Sequence, residues 1–308
     1  MSNLILLFLC LFLGIFLRKT KLFPADGHLA LNSFVITISL SALSLYYIPK
    51  IILDVQLIFP VLVPWLNIIL AFFFFTILGK KLKWSKTTIG ALVLCAGFGN
   101  TSFVGIPIIQ TLYGENGLKT VMLVDQPGSF VALSTLGIFF ANFYSGEKSY
   151  DSEIFIKILK FPPFIAFVVA LLLNIFNISV PLALDEVFLA LGATTVPLAL
   201  VSVGTQLKWQ KLEEESRPLF WGLAFKLVLF PALIFVLYFL LLDQRGEIII
   251  ISFLESAMAP MITAAIIAST HKLEPKLCNL MVGIGIPLSL LTVALWYLIL
   301  HSSGLMVR

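Results

Sequence analysis

"CAGFGNTSFVGIPIIQTLYG", Cys95 to Gly114, lies inside a long apolar run yet carries three features that disturb a helix. Asn100, Thr101 and Ser102 are polar, Gly97, Gly99 and Gly105 are flexible, and Pro107 lacks a backbone donor. In a soluble chain such a stretch is a loop. The surroundings exclude that reading: 60% of the 308 residues are hydrophobic and only 12% are charged, against about a quarter charged in soluble domains. Apolar runs recur along the whole chain, each able to cross ~30 Å of hydrocarbon. The chain is an all-α polytopic membrane protein, and its natural surroundings are a lipid bilayer.

Ten candidate spans follow from apolar runs set against charged or turn-rich breaks: 3–17, 29–48, 58–79, 87–112, 118–141, 161–177, 185–206, 218–241, 247–269 and 277–300. The first follows no basic n-region and precedes no small-residue cleavage site, so it reads as a span rather than a cleaved signal. Alternate connections hold 15 of the 20 basic residues, clustered at Arg18–Lys21, Lys80–Lys86, Lys148–Lys160, Lys208–Arg217 and Lys272–Lys276. The opposite side has four, Lys50, Lys119, Arg245 and Arg308, and Lys226 lies well inside a span. The positive-inside rule then puts both termini outside the cytoplasm, in a plasma (inner) membrane. The net charge of +4 follows from this topology and implies no nucleic-acid partner. Cys10, Cys95 and Cys278 have neither metal nor disulfide spacing and read as small buried hydrophobes. The Phe72–Phe75 cluster reads as lipid-facing or packing residues.

The polar connection 142–160 (NFYSGEKSYDSEIFIKILK) divides the spans five and five, into 1–141 and 161–308. An odd number per half makes any repeat inverted. Prolines recur at matching places: Pro107 and Pro260, Pro127 and Pro287, Pro64 and Pro218, with offsets of 153, 160 and 154. Paired interruptions of this kind point to a transporter's binding region. The second break reads "ESAMAPMITAAIIAS", Glu255 to Ser269. Irregular backbone at that depth survives only when buried in protein or lining a cavity, so spans 4 and 9 are expected to cross at their breaks. Pro107 and Pro260 would each open a half-helix, placing free N–H groups at mid-membrane. That arrangement suits a small anion, especially a carboxylate, and the opposing carbonyl ends suit a cation.

"GNTSFVGIP" (Gly99 to Pro107), the basic 3–4 connection and "LVSVGTQL" (Leu200 to Leu207) resemble the auxin efflux carrier family over essentially the whole chain. The resemblance implies crossed helices 4 and 9 within a five-plus-five inverted repeat, in a fold like that of bile acid:sodium symporters. It implies a scaffold of spans 1, 2, 6 and 7, a mobile transport domain of spans 3–5 and 8–10, elevator-type movement and a homodimer. It also implies a small organic anion as substrate, such as malate, malonate or an auxin-like acid. Its expected contacts are Asn100, Thr101, Ser102, Gly105, Pro107, Pro260, Met261 and Thr263. Many members place an Asn after the span 9 proline, where this chain has Met261–Ile262–Thr263.

Asp125, Lys226 and Glu255 are the charges left inside the membrane. Each costs at least roughly 2.5–3.5 kcal/mol there and is a functional candidate. Glu255 falls in the last turn before the second break, against an unfavourable dipole end. It reads as a cation ligand, a proton carrier or a salt-bridge partner of Lys226. By analogy with bile acid:sodium symporters, Na⁺ would bind Glu255 with Asn100, Thr101 and Ser129; Gln126 and the Met258 carbonyl are further ligands. Asp125, about six residues from the outer end or roughly 9 Å, reads as a hydrated interfacial group, a coupling group or a partner of Lys226. Lys226, roughly 13 Å into span 8, is open to snorkelling, to carboxylate pairing or a stand-in for a cation, and to direct anion contact. Ser39, Ser41 and Ser44 with Thr194, Thr195 and Pro197 serve close packing or line the substrate path.

The expected function is secondary transport of an organic anion coupled to Na⁺ or H⁺. An uncoupled uniporter or channel-like facilitator is the rival. HExxH, GxSxG and paired-aspartate GxGD signatures are absent from the sequence, and the three histidines lie near span ends, so no enzyme is expected.

Overall fold

The computed structural model describes residues 2–20, 23–24, 26–146, 160–206 and 216–305. Most of the 142–160 connection, and Lys21, Lys208, Lys211, Leu207 and Arg308, lie outside the described residues.

Regular structure among the described residues is helical throughout. α1 is Ser2–Thr20, α2 Gly27–Lys50 and α3 Val55–Leu82. α4, Lys86–Gly97, starts at an N-cap in which Ser85 accepts from the Thr88 N–H at 3.0 Å. After the break come α5 (101–113) and α6 (115–145), one helical run kinked at Gly114, whose φ of 66° and ψ of −157° leave the helical region. Glycine tolerates that left-handed backbone, which a Cβ would strain. α7 is Pro162–Ile175, α8 Leu182–Gln206 and α9 Ser216–Leu241. α10, Glu247–Ser256, and α11, Ile262–Thr270, flank the second break. α12 is Pro275–Ser302.

Six of these helical stretches are each long and apolar enough to cross a membrane: α2, α3, the α5–α6 run, α8, α9 and α12. The expected spans 4 and 9 are not continuous helices. α4 has 12 residues and α10 has 10, or about 15–18 Å at 1.5 Å per residue, so each reaches only part-way through the hydrocarbon. Apolar side chains such as Phe12, Phe73, Leu240, Leu291 and Leu298 are exposed on the outside of the bundle, as a lipid-facing surface requires.

Packing falls into recurrent contacts. α1 lies along α8, and α2 packs on α7 and α8. α3 packs on α4, α6 and α10, while α11 packs on α4 and α12. The α1–α8 contact is a backbone-to-backbone crossing. A Cβ on Gly14 would lie 2.3 Å from the Val201 carbonyl oxygen, and one on Gly204 would lie 2.3 Å from that of Leu11. Small residues permit this approach, which in lipid gains dispersion contacts without a hydrophobic driving force.

Helix starts recur at a fixed interval. Ser2, Lys86 and Thr101 have counterparts at Pro162, Glu247 and Ile262, 160 or 161 residues later. The Pro127–Pro287 offset of 160 falls in this register, whereas the offsets of 153 and 154 do not. Pro107 and Pro260, 153 residues apart, fall outside that interval.

Candidate functional site

The two breaks meet. Gly99 and Pro260 face each other in an antiparallel backbone bridge. The Asn100 N–H donates to the Ala259 carbonyl at 2.8 Å, and the Met261 N–H donates to that of Phe98 at 3.1 Å. Each break thus satisfies the other's backbone groups, which nothing in hydrocarbon would do. Two carbonyl ends, of α4 and α10, and two amide ends, of α5 and α11, converge on this bridge.

The amide ends differ in construction from the sequence expectation. Pro107 does not open α5, which begins six residues earlier, after Asn100. The Asn100 Oδ1 accepts from the Phe103 N–H at 3.1 Å and caps the helix. A π-helical turn, Thr101–Gly105, then precedes Pro107; its wider ring accommodates a proline that would clash in a regular α-turn. Pro260 lies in the break itself, and α11 starts after Met261, without a side-chain cap. Both helix N-termini lie at the crossing, and Pro107 and Pro260 fall outside their first turns.

Asn100 is 2% exposed, and its Nδ2 has no hydrogen-bond partner. Because Oδ1 is committed to the cap, the free end of the amide is a pure donor. Thr263 lies in the first turn of α11 and is half-buried.

Asp125, on a π-helical turn of α6, gathers the polar residues of α5. Thr101 Oγ1 donates to Asp125 Oδ1 at 2.6 Å and contacts Ser129 Oγ at 3.3 Å. Ser102 Oγ donates to the same Oδ1, and Gln126 Nε2 donates to Oδ2 at 2.8 Å. Asp125 is buried in protein rather than hydrated, ten residues after α6 starts beyond Gly114.

Glu255, in the last turn of α10, is 1% exposed, and neither carboxylate oxygen has a hydrogen-bond partner. It packs on Gly105, where a Cβ would fall 2.5 Å from both oxygens. Asp125 and Lys226 both act on it electrostatically, yet no ion pair within 4.0 Å joins it to Lys226 among the described residues. Lys226 does not snorkel. It is fully buried in a π-helical turn of α9, and its Nζ donates to the Ser256 carbonyl at 2.7 Å. No sequence pattern signalled that contact, because its acceptor is backbone.

The structure brings Thr101, Ser102, Gln126 and Ser129 around Asp125 rather than around Glu255. Of the four residues expected to hold Na⁺, Asn100, Thr101 and Ser129 are engaged with protein partners, and Glu255 alone has unpartnered oxygens. Away from the crossing, Ser39 Oγ and Thr194 Oγ1 hydrogen-bond at 2.7 Å between α2 and α8, a packing contact. Cys10, Cys95 and Cys278 are buried and free.

A cavity of about 910 Å³ lies between the α1, α2 and α8 ends and the α11–α12 pair. It reaches Ile262, the first residue of α11, and its lining among the described residues includes Arg18 and His28 and no carboxylate. A second gap, of about 20 Å³, separates α2 and α8 from α5 and α6 near Tyr47 and Glu115.

Comparison with known proteins points to a transport family. A family model described as membrane transport protein matches residues 1–297. An uncharacterized transporter of Methanocaldococcus jannaschii is 29% identical over 230 residues, covering 71% of each chain. An uncharacterized transporter of Methanothermobacter thermautotrophicus is 24% identical over 209 residues, covering 68% of this chain and 67% of its own. With crossed breaks, a cavity at one half-helix and a matching family model, this multi-pass membrane protein belongs to the auxin efflux carrier family of membrane transport proteins.

Proposed function

We propose that the protein is a secondary transporter of a small organic anion, a carboxylate, bound where the two breaks cross. The observation that carries this reading is the Asn100 Nδ2, a buried donor without a partner, set beside two helix amide ends. A carboxylate supplies the acceptors that these groups lack, and the dipoles favour its charge. The cavity leading to α11 supports the same sign of cargo, with Arg18 and His28 among the described residues of its lining.

Two observations support an elevator-type mechanism. α1, α2, α7 and α8 pack on one another, as do α3–α6 with α9–α12, which suits a scaffold and a transport domain. The two gaps between these groups are unequal, about 910 and 20 Å³, as in a carrier open to one side. The interval of 160–161 residues between helix starts supports an inverted repeat. By the positive-inside rule, the lysine-rich connections support a larger opening on the cytoplasmic side and both termini outside. Glu255, with two unpartnered oxygens, is the group through which a cation, Na⁺ or H⁺, would couple.

Counterflow of labelled malate and malonate in proteoliposomes tests the reading. The expected result is saturable exchange accelerated by unlabelled solute inside. Flux that rises linearly with concentration would sink the carrier in favour of a channel.

A further inference from the structure

We infer that Lys226 is a built-in monovalent cation, seated on the carbonyl end of α10 where a free metal cation would otherwise bind, so that the crossing works without Na⁺ and, of the two cations proposed for Glu255, H⁺ is the one left to couple. The inference rests on reading the crossing as the transport site.

Ser256 is the last residue of α10, and its carbonyl belongs to the set that a helix end leaves without intrahelical partners. Lys226 Nζ donates to that oxygen at 2.7 Å. The negative end of the helix dipole favours a cation at this place. Gly99 makes the room: a Cβ there would lie 3.3 Å from Nζ and 3.5 Å from the Glu255 carbonyl oxygen. The ammonium therefore sits at the Gly99–Pro260 bridge itself, within electrostatic reach of the unpartnered Glu255 carboxylate. A buried lysine with one hydrogen bond to backbone does not repay its desolvation by packing alone. It does so by supplying positive charge to a helix end and a carboxylate that both need one. The side chain is long and anchored in α9, so the charge stays with the protein throughout the cycle.

Thermal unfolding of the purified full-length protein tests this without any transported solute. It compares NaCl, NH₄Cl and N-methylglucamine chloride at equal ionic strength. The wild type is expected to unfold at one temperature in all three. Lys226→Met empties the seat and should show a rise of about 4 °C with Na⁺ or NH₄⁺. A sodium-specific rise in the wild type, or a folded Lys226→Met with no cation response, overturns the inference. If Lys226→Met fails to fold, Lys226→Met/Glu255→Gln decides: recovery of folding supports charge compensation, and failure of both variants assigns the lysine to packing and overturns it. Since no organic anion is present, a negative outcome here leaves malate counterflow untouched, and the reverse holds too.

Discussion

Gly105 and Glu255 occupy one space from two directions: the carboxylate of α10 fills the volume that a side chain on α5 would take, 2.5 Å from where its Cβ would stand. The smallest addition at 105 must displace the carboxylate or part the helices. Gly105→Ala is expected to destabilise the protein by about 1–3 kcal/mol, the usual range for overpacking. Removing the obstructing group should relieve the strain, so Gly105→Ala/Glu255→Ala should unfold at a higher temperature than Gly105→Ala. Equal or lower stability of the double variant would contradict this shared volume.

Asn100 performs two separable tasks, and two substitutions divide them. Asn100→Asp keeps an oxygen for the Phe103 N–H but removes the free donor, so the helix cap should survive while carboxylate binding fails. Asn100→Ala loses both, adding about 0.5–2 kcal/mol of destabilisation from the missing cap. Ligand-induced thermal shifts with malonate would read the first effect, and unfolding temperature without ligand the second. An Asn100→Asp variant that binds malonate as the wild type does would remove the amide from the site.

Asp125 is the acceptor for Thr101, Ser102 and Gln126. Asp125→Ala strands three buried donors, at about 1–3 kcal/mol for each left unsatisfied. Asp125→Asn retains one acceptor oxygen and should be the milder change. Chemical denaturation of both variants in detergent would check the order.

The cavity predicts sided accessibility. Ser269 lines it, and the three native cysteines are buried, so Ser269→Cys should dominate labelling by a membrane-impermeant maleimide. Gln110→Cys, at the narrow gap, should label slowly from either side. Rapid labelling of Gln110→Cys alone would reverse the assignment of open and closed sides.

The α1–α8 crossing gives a structural control. Gly14→Val would drive a branched side chain into the backbone at Val201 and Gly204 and should abolish folding rather than selectively reduce binding. Recovery of the folded fraction by size-exclusion chromatography would contradict the close approach.

Much of this arrangement was legible in the residues. The helices, the breaks at 97–101 and 257–261, and the burial of Asn100 and Glu255 follow from apolar runs interrupted by glycine, proline and polar groups. The register of the crossing was not, because residue types alone do not fix which backbone groups pair. The structure pairs Gly99 with Pro260, since capping by Asn100 starts α5 upstream of Pro107. The depth of Asp125 depended on a kink at Gly114 within a continuous apolar–polar mixture. Lys226 was recognisable as buried charge, but its partner is the backbone oxygen of a serine, which no side-chain pattern discloses.

The bridge between Phe98–Asn100 and Ala259–Met261 joins residues 161 positions apart in the chain. During synthesis the first break is completed long before its partner exists. The Asn100 N–H and the Phe98 carbonyl must then wait, in or near the bilayer, for acceptor and donor groups not yet made. Unpaired peptide groups at that depth are costly, so the first half of the chain on its own is an unfinished membrane protein. Maturation of the crossing is therefore a late event in biogenesis, and the insertion machinery has to shelter the gap until the last third of the chain arrives.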